Sequence, residues 1–141
     1  MKRALLVFLI VFIVMQFIQT NKDLPSVDKT LEIQAPTEVM TIFKNACYDC
    51  HSNEVKWPLY SHIAPFSWVI SNHVNEGRKA LNFSTWKNYN EEDKTKKLKA
   101  IYRTVYGSMP LMSYIWLHEE GDLTKEQRNL IRDWTGVRKR R

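Results

Sequence analysis

The chain has 141 residues, room for one compact domain rather than two. Its net charge of +6 sits at the ends: Lys2 and Arg3 lead, Arg138, Lys139, Arg140 and Arg141 close, and residues 4–137 carry fifteen basic and fifteen acidic side chains. A neutral body lacks the positive face of a nucleic-acid binder, and four Gly with five Pro argue against a disordered or collagen-like chain.

Lys2 and Arg3 precede an apolar run from Ala4 to Ile18. A positive flank before an apolar core directs export, with the positive end held in the cytoplasm. As a helix the run spans about 22 Å, against about 30 Å of bilayer hydrocarbon, so length leaves a cleaved signal and a retained anchor both open. Gln16 to Lys22 offer no small-residue cleavage pattern. Residues 1–19 are therefore expected to remain as an inner-membrane signal anchor, stretched by snorkelling of Lys2, Arg3 and Lys22. The rest of the chain is then expected in the periplasm. Residues 20–35 keep no sustained period and read as a tether, followed by a domain over 36–137 and a solvated basic tail at 138–141.

Within the domain, Pro36 suits the first turn of a helix, and Val39, Ile42, Phe43 and Ala46 recur on one helical face. Pro58 and Pro65 mark a loop over 52–65. A second helix is expected from Pro65 to about Asn75, with Val69, Ile70, His73 and Val74 inward and Gly77 ending it. Asn90 is a good N-cap for a third helix. Glu91/Lys95, Glu92/Lys96 and Asp93/Lys97 are spaced as i,i+4 pairs on it, and Leu98, Ile101, Tyr102 and Val105 form its buried stripe before Gly107 stops it. Thr124 with Gln127 makes a capping box for a last helix whose apolar face is Leu130, Ile131 and Trp134. Nothing alternates with period two, so the expected fold class is all-α.

Cys47-Tyr48-Asp49-Cys50-His51 is the C-x-x-C-H pattern of c-type haem attachment. On a helical turn positions i, i+3 and i+4 share one face. Two thiols can then reach the two vinyl groups of one haem while the imidazole reaches its iron. Three other uses of the residues compete. A thioredoxin-like C-x-x-C expects a preceding strand, and here an amphipathic helix precedes it. A structural zinc site commonly adds a second close Cys or His pair, whereas His62, His73 and His118 are scattered. A disulfide leaves His51 without a role. Covalent attachment of one haem c is the expectation.

Tyr106-Gly107-Ser108-Met109-Pro110 places a methionine after a helix end and before a proline, which biases it toward extended backbone. Met109 is the expected sixth ligand, the alternative being gap-filling core. Met112 is second choice, and His62, His73 or His118 would give a bis-histidine iron. A His/Met pair raises the potential relative to bis-His and closes the iron to substrates, which points to electron transfer.

From about Glu38 to Gly136 the chain resembles the haem-binding domain family of short exported bacterial proteins with a single C-x-x-C-H. The resemblance lies in Cys47 to Asn53, Trp57-Pro58-Leu59-Tyr60, Ile63 to Trp68, Val74 to Arg78, Leu81 to Trp86, Met109-Pro110-Leu111 and Tyr114. It implies a cytochrome-c-like helical fold, with Met109 matching the family's Met-Pro motif. A ligating imidazole donates its other N–H to a carbonyl or carboxylate, which the Ile63-Ala64-Pro65 stretch is expected to supply to His51. Arg78, Trp57, Trp68 and Tyr60 are candidates to hydrogen-bond the haem propionates, against surface charge for Arg78 and core packing for the rings. The expected role is a one-electron carrier serving redox partner proteins, with no small-molecule substrate. The rivals are a haem enzyme or sensor with a displaceable sixth ligand, for which His118 is the candidate acid/base group, and a non-haem zinc or thiol protein.

Overall fold

The structure is a computed structural model and describes residues 1–138. Beyond Arg138, the basic tail expected at 138–141 lies outside the described residues. Seven α-helices follow in chain order: α1 Lys2–Gln16, α2 Thr37–Ala46, α3 Tyr48–His51, α4 Phe66–Ala80, α5 Glu91–Thr104, α6 Met112–Ile115 and α7 Lys125–Trp134. Short 3-10 segments occur at Lys29–Leu31, Leu59–His62, Phe83–Asn88 and Glu119–Gly121, and there is no strand among the described residues.

The helices expected at α2, α5 and α7 form where local signals place them. The α2 face of Val39, Ile42, Phe43 and Ala46 is buried. Asn90 caps α5 by accepting from the Asp93 N–H at 2.8 Å. In the α7 capping box Thr124 Oγ1 accepts from the Gln127 N–H at 3.2 Å, and Gln127 Oε1 accepts from the Thr124 N–H at 2.8 Å. Ile101, Val105 and Ile131 carry the inner faces of α5 and α7 into the core, while Leu98 and Tyr102 are half-buried. On the outer face of α5 only Glu92–Lys96 forms of the expected i,i+4 pairs. Lys94 turns back to Glu91, and Lys97 Nζ donates to the Ala80 carbonyl. Such exposed pairs contribute a few tenths of a kcal/mol at most.

The centre of the core is aromatic. Phe43 stacks on Phe83 at 4.8 Å, Tyr48 stacks on the same ring at 5.4 Å, and Trp134 meets Phe43 edge-on at 5.2 Å. Parallel-offset and edge-on pairs are favoured by the ring quadrupoles. The stack ties α2, the start of α3, the Phe83–Asn88 turn and α7 together.

Three expectations are corrected. Residues 20–35 are not a free tether: Ile33 is fully buried, its N–H donates to the Phe83 carbonyl at 2.9 Å, and Glu32 accepts from the Tyr48 hydroxyl at 2.9 Å. One buried side chain and a few hydrogen bonds fix such a segment without any period, so the sequence carries no pattern for it. Gly77 does not end α4, which runs on to Ala80. The inner face of α4 is Ser67, Ser71 and Val74, whereas Val69 and His73 are exposed. Small side chains there let α4 lie close to its neighbours, which a reading for large apolar residues overlooks. The expected apolar run forms α1, a helix of 15 residues, and among the described residues no helix is long and apolar enough to cross a membrane.

Candidate functional site

The site begins where α2 stops. Cys47 caps α2, donating its N–H to the Phe43 carbonyl at 2.9 Å, and its backbone leaves helical geometry at φ −128°. The chain kinks there and restarts as α3, with the His51 N–H donating to the Cys47 carbonyl at 2.9 Å. This single turn puts Cys47, Cys50 and His51 on the wall of one cavity of about 390 Å³, within the roughly 300–1,000 Å³ of ligand pockets.

His51 is held by α4 rather than by the Ile63-Ala64-Pro65 stretch. Its Nδ1–H donates to the carbonyls of Gly77 at 2.8 Å and Leu81 at 3.1 Å. Both partners are acceptors, so the proton belongs on Nδ1 and the Nε2 lone pair is left free. Burial pulls the imidazole below its ordinary pKa, and the two carbonyls only partly oppose this. A neutral, oriented imidazole is what a metal ligand requires.

Position 77 must be glycine for this contact. A Cβ there would stand 2.4 Å from the Cys50 carbonyl oxygen, a backbone atom that cannot swing away. The close approach of α4 to α3 is thus written into one missing methyl.

Cys47 and Cys50 are unpaired. Burial pushes the Cys47 thiol up to about 12, and burial with the nearby Asp49 charge pushes Cys50 up to about 11. Reactive dithiol motifs are tuned in the other direction, toward the thiolate. Among the described residues no group of three or more His, Cys, Asp or Glu side chains is placed to hold a metal ion.

Met109 lines the same cavity from the segment between α5 and α6. Its N–H donates to the Thr104 carbonyl at 2.9 Å. Its carbonyl accepts from Arg128 Nη1 at 3.1 Å, and the same guanidinium donates to the carbonyls of Val105 and, from Nε, Leu123 at 3.0 Å. Arg128 on α7 therefore fastens the methionine segment to the end of α5. Nothing in the spacing of α7 distinguishes this arginine from the surface arginines around it, and sequence reasoning missed it.

The rest of the wall is largely apolar, with Phe43, Ala46, Leu81, Phe83, Ile101, Val105, Leu111, Leu123 and Ile131 among its residues. Asp49 and Glu76 also line it, and no lysine or arginine among the described residues does. Asp49 is tied by the Tyr114 hydroxyl at 2.9 Å and the Lys56 N–H at 3.2 Å. Burial and the Asp49 charge push the Tyr114 phenol well above its usual range, keeping it a donor.

The remaining candidates stand elsewhere. Arg78 donates from Nε and Nη2 to Asn53 Oδ1 at 3.2 and 2.9 Å, and the same oxygen accepts from Asn82 Nδ2. Trp68 Nε1–H donates to the Ile18 carbonyl at 2.8 Å, and Trp57 lies under the Lys22 ammonium at 5.0 Å. The Tyr60 hydroxyl meets His118 Nε2 at 2.6 Å. None of these four is among the residues that line the cavity. Of the reserve ligands, His73 reaches the cavity wall, His62 is engaged by Lys22, and Met112 is 65% exposed.

A helical shell around an apolar cavity, with a neutral imidazole aimed by backbone carbonyls and a thioether side chain on the same wall, suits a flat apolar macrocycle with a central metal; it defines a haem-binding helical protein. The haem-binding domain family model matches residues 10–136, and the chain belongs to that family. No curated protein and no solved structure matches it.

Proposed function

We propose that the chain is an exported, membrane-held c-type cytochrome that carries single electrons in the periplasm. One haem c is attached through Cys47 and Cys50, with His51 and Met109 as axial ligands. The observation that carries this reading is the His51 ring: two backbone carbonyls fix its tautomer, and it shares one apolar cavity with both cysteines and Met109. Bound there, haem supplies a reversible one-electron iron couple, and a His/Met pair leaves no position open to a substrate. The rival reading, an enzyme or gas sensor, draws less support, because His118 is committed to Tyr60 and does not line the cavity.

The test is expression of the whole chain in a host able to mature cytochromes. The purified protein should carry the mass of one haem through acid–acetone extraction and give a six-coordinate low-spin spectrum with the weak methionine–iron band. Colourless protein of unmodified mass overturns covalent attachment, and high-spin iron overturns the ligand pair. Cys50→Ala should leave haem on only a fraction of chains, held by one thioether, as mass spectrometry would read. Arg128→Met should loosen the Met109 segment: the methionine band weakens and CO captures the ferrous iron faster, while haem content is unchanged. An Arg128→Met protein with wild-type band and CO rate would show that Arg128 does not position Met109.

A further inference from the structure

The end of α1 does not leave the domain freely. The Gln16 side chain brackets one residue, Oε1 accepting from the Ala64 N–H at 3.0 Å and Nε2 donating to the Ala64 carbonyl at 3.2 Å. Trp68 Nε1–H then donates to the Ile18 carbonyl, and Thr20 and Ser71 share a hydroxyl hydrogen bond of 2.7 Å. Gln16, Ile18 and Thr20 are thus fastened along the stretch from Ala64 to Ser71.

Large apolar side chains crowd the same place with nothing over them. Ile63 and Phe66 flank the docked Ala64-Pro65 pair and are 45% and 60% exposed. Phe17 and Ile18, just past the end of α1, are also exposed, Val69 follows Phe66 one turn along α4, and Leu59 lies in the short 3-10 turn upstream. Contiguous exposed apolar surface on a small domain marks a contact face. This one is continuous with α1, a helix with no buried residue and twelve successive apolar side chains from Ala4 to Met15.

We propose that Leu59, Ile63, Phe66 and Val69 form a collar that beds the haem domain into the surface of a lipid bilayer around the point where α1 enters it. The inference rests on the membrane-held reading above and adds to it the face that meets lipid. Length supports it: α1 is about 22 Å long, about 8 Å short of the hydrocarbon it would cross. A short span draws its flanking residues toward the bilayer. With Gln16 bonded to Ala64, the residues drawn down are those of the collar, whose apolar side chains favour the acyl boundary. A protein partner would account for exposed Ile63 and Phe66 but not for their junction with α1.

The test uses the haem-loaded full chain in phosphatidylcholine vesicles whose acyl chains carry a photoreactive diazirine. Trypsin cutting after Arg3, Lys22, Lys56 and Arg78 separates the α1 peptide, 4–22, from the collar peptide, 57–78. Lipid adducts are expected on both, and the exposed double variant Ile63→Ser/Phe66→Ser should lose those on 57–78, keep those on 4–22 and retain the parent haem spectrum. Adducts confined to 4–22 overturn the collar and leave the anchor standing. Adducts on neither peptide overturn both. Adducts equally abundant on the α5 peptides, or chain-to-chain crosslinks through 57–78 in place of lipid adducts, also overturn it, the latter giving the face to a second copy.

Discussion

A methyl group at position 77 is expected to push α4 away from the C-x-x-C-H turn. The added Cβ of Gly77→Ala would lie 2.4 Å from the Cys50 carbonyl oxygen and 3.2 Å from the Cys50 Cβ. Neither is the free end of a flexible side chain, so backbone must move. Overpacking of this kind costs about 1–3 kcal/mol and more where nothing can yield. The displacement has a second consequence, because the Gly77 carbonyl is the nearer acceptor of the His51 Nδ1–H. Gly77→Ala should therefore lower both the denaturant midpoint and the yield of attached haem. Lys79→Ala, two residues along on the exposed side of the same helix, should do neither. Equal midpoints and haem yields for the two variants would mean that the helix approach is not tight.

Met109→Ala should change the cofactor's chemistry with little effect on its retention. Thioethers at Cys47 and Cys50 hold the haem in the proposed arrangement, so loss of an axial ligand does not release it. A methionine thioether favours ferrous iron, and its removal should lower the reduction potential by on the order of 0.1 V, within the ~0.8 V that axial ligation spans. The vacated position should also bind CO, which the parent protein is expected to resist. Met112→Ala, at an exposed side chain three residues on, is the matched control. Unchanged potential and CO resistance in the Met109 variant would move the sixth ligand, with His73 next because it reaches the cavity wall.

What was legible in the sequence was whatever depends on neighbours along the chain. The α2 stripe, the Asn90 cap, the Thr124–Gln127 box and the spacing of Cys47, Cys50 and His51 are all decided within about two helical turns. Contacts between distant segments left no comparable trace. The acceptors for His51 are backbone carbonyls, which every residue has, so nothing in residue type points to Gly77 and Leu81. Gly77 itself resembled a helix stop because the same absence of a side chain serves a C-cap and a close crossing equally well. Trp57, Tyr60, Trp68 and Arg78 lie near the motif in sequence, but the partners they take, among them Lys22, His118, Ile18 and Asn53, come from segments no local pattern points to. The one arginine that does bear on Met109 comes from α7, nineteen residues further on.

The bonded stem between α1 and the domain alters how such a carrier would meet its partners. A leash of some fifteen loose residues would let a haem sweep a broad volume and favour encounters at many heights above the lipid. Residues 16–22 are stitched to the domain, and Ile33 is sewn into its core. In the proposed membrane-held state the cofactor then rides at one fixed elevation and one fixed tilt, and collisions become a matter of lateral drift in two dimensions. Donors and acceptors would have to offer their own centres at that same height.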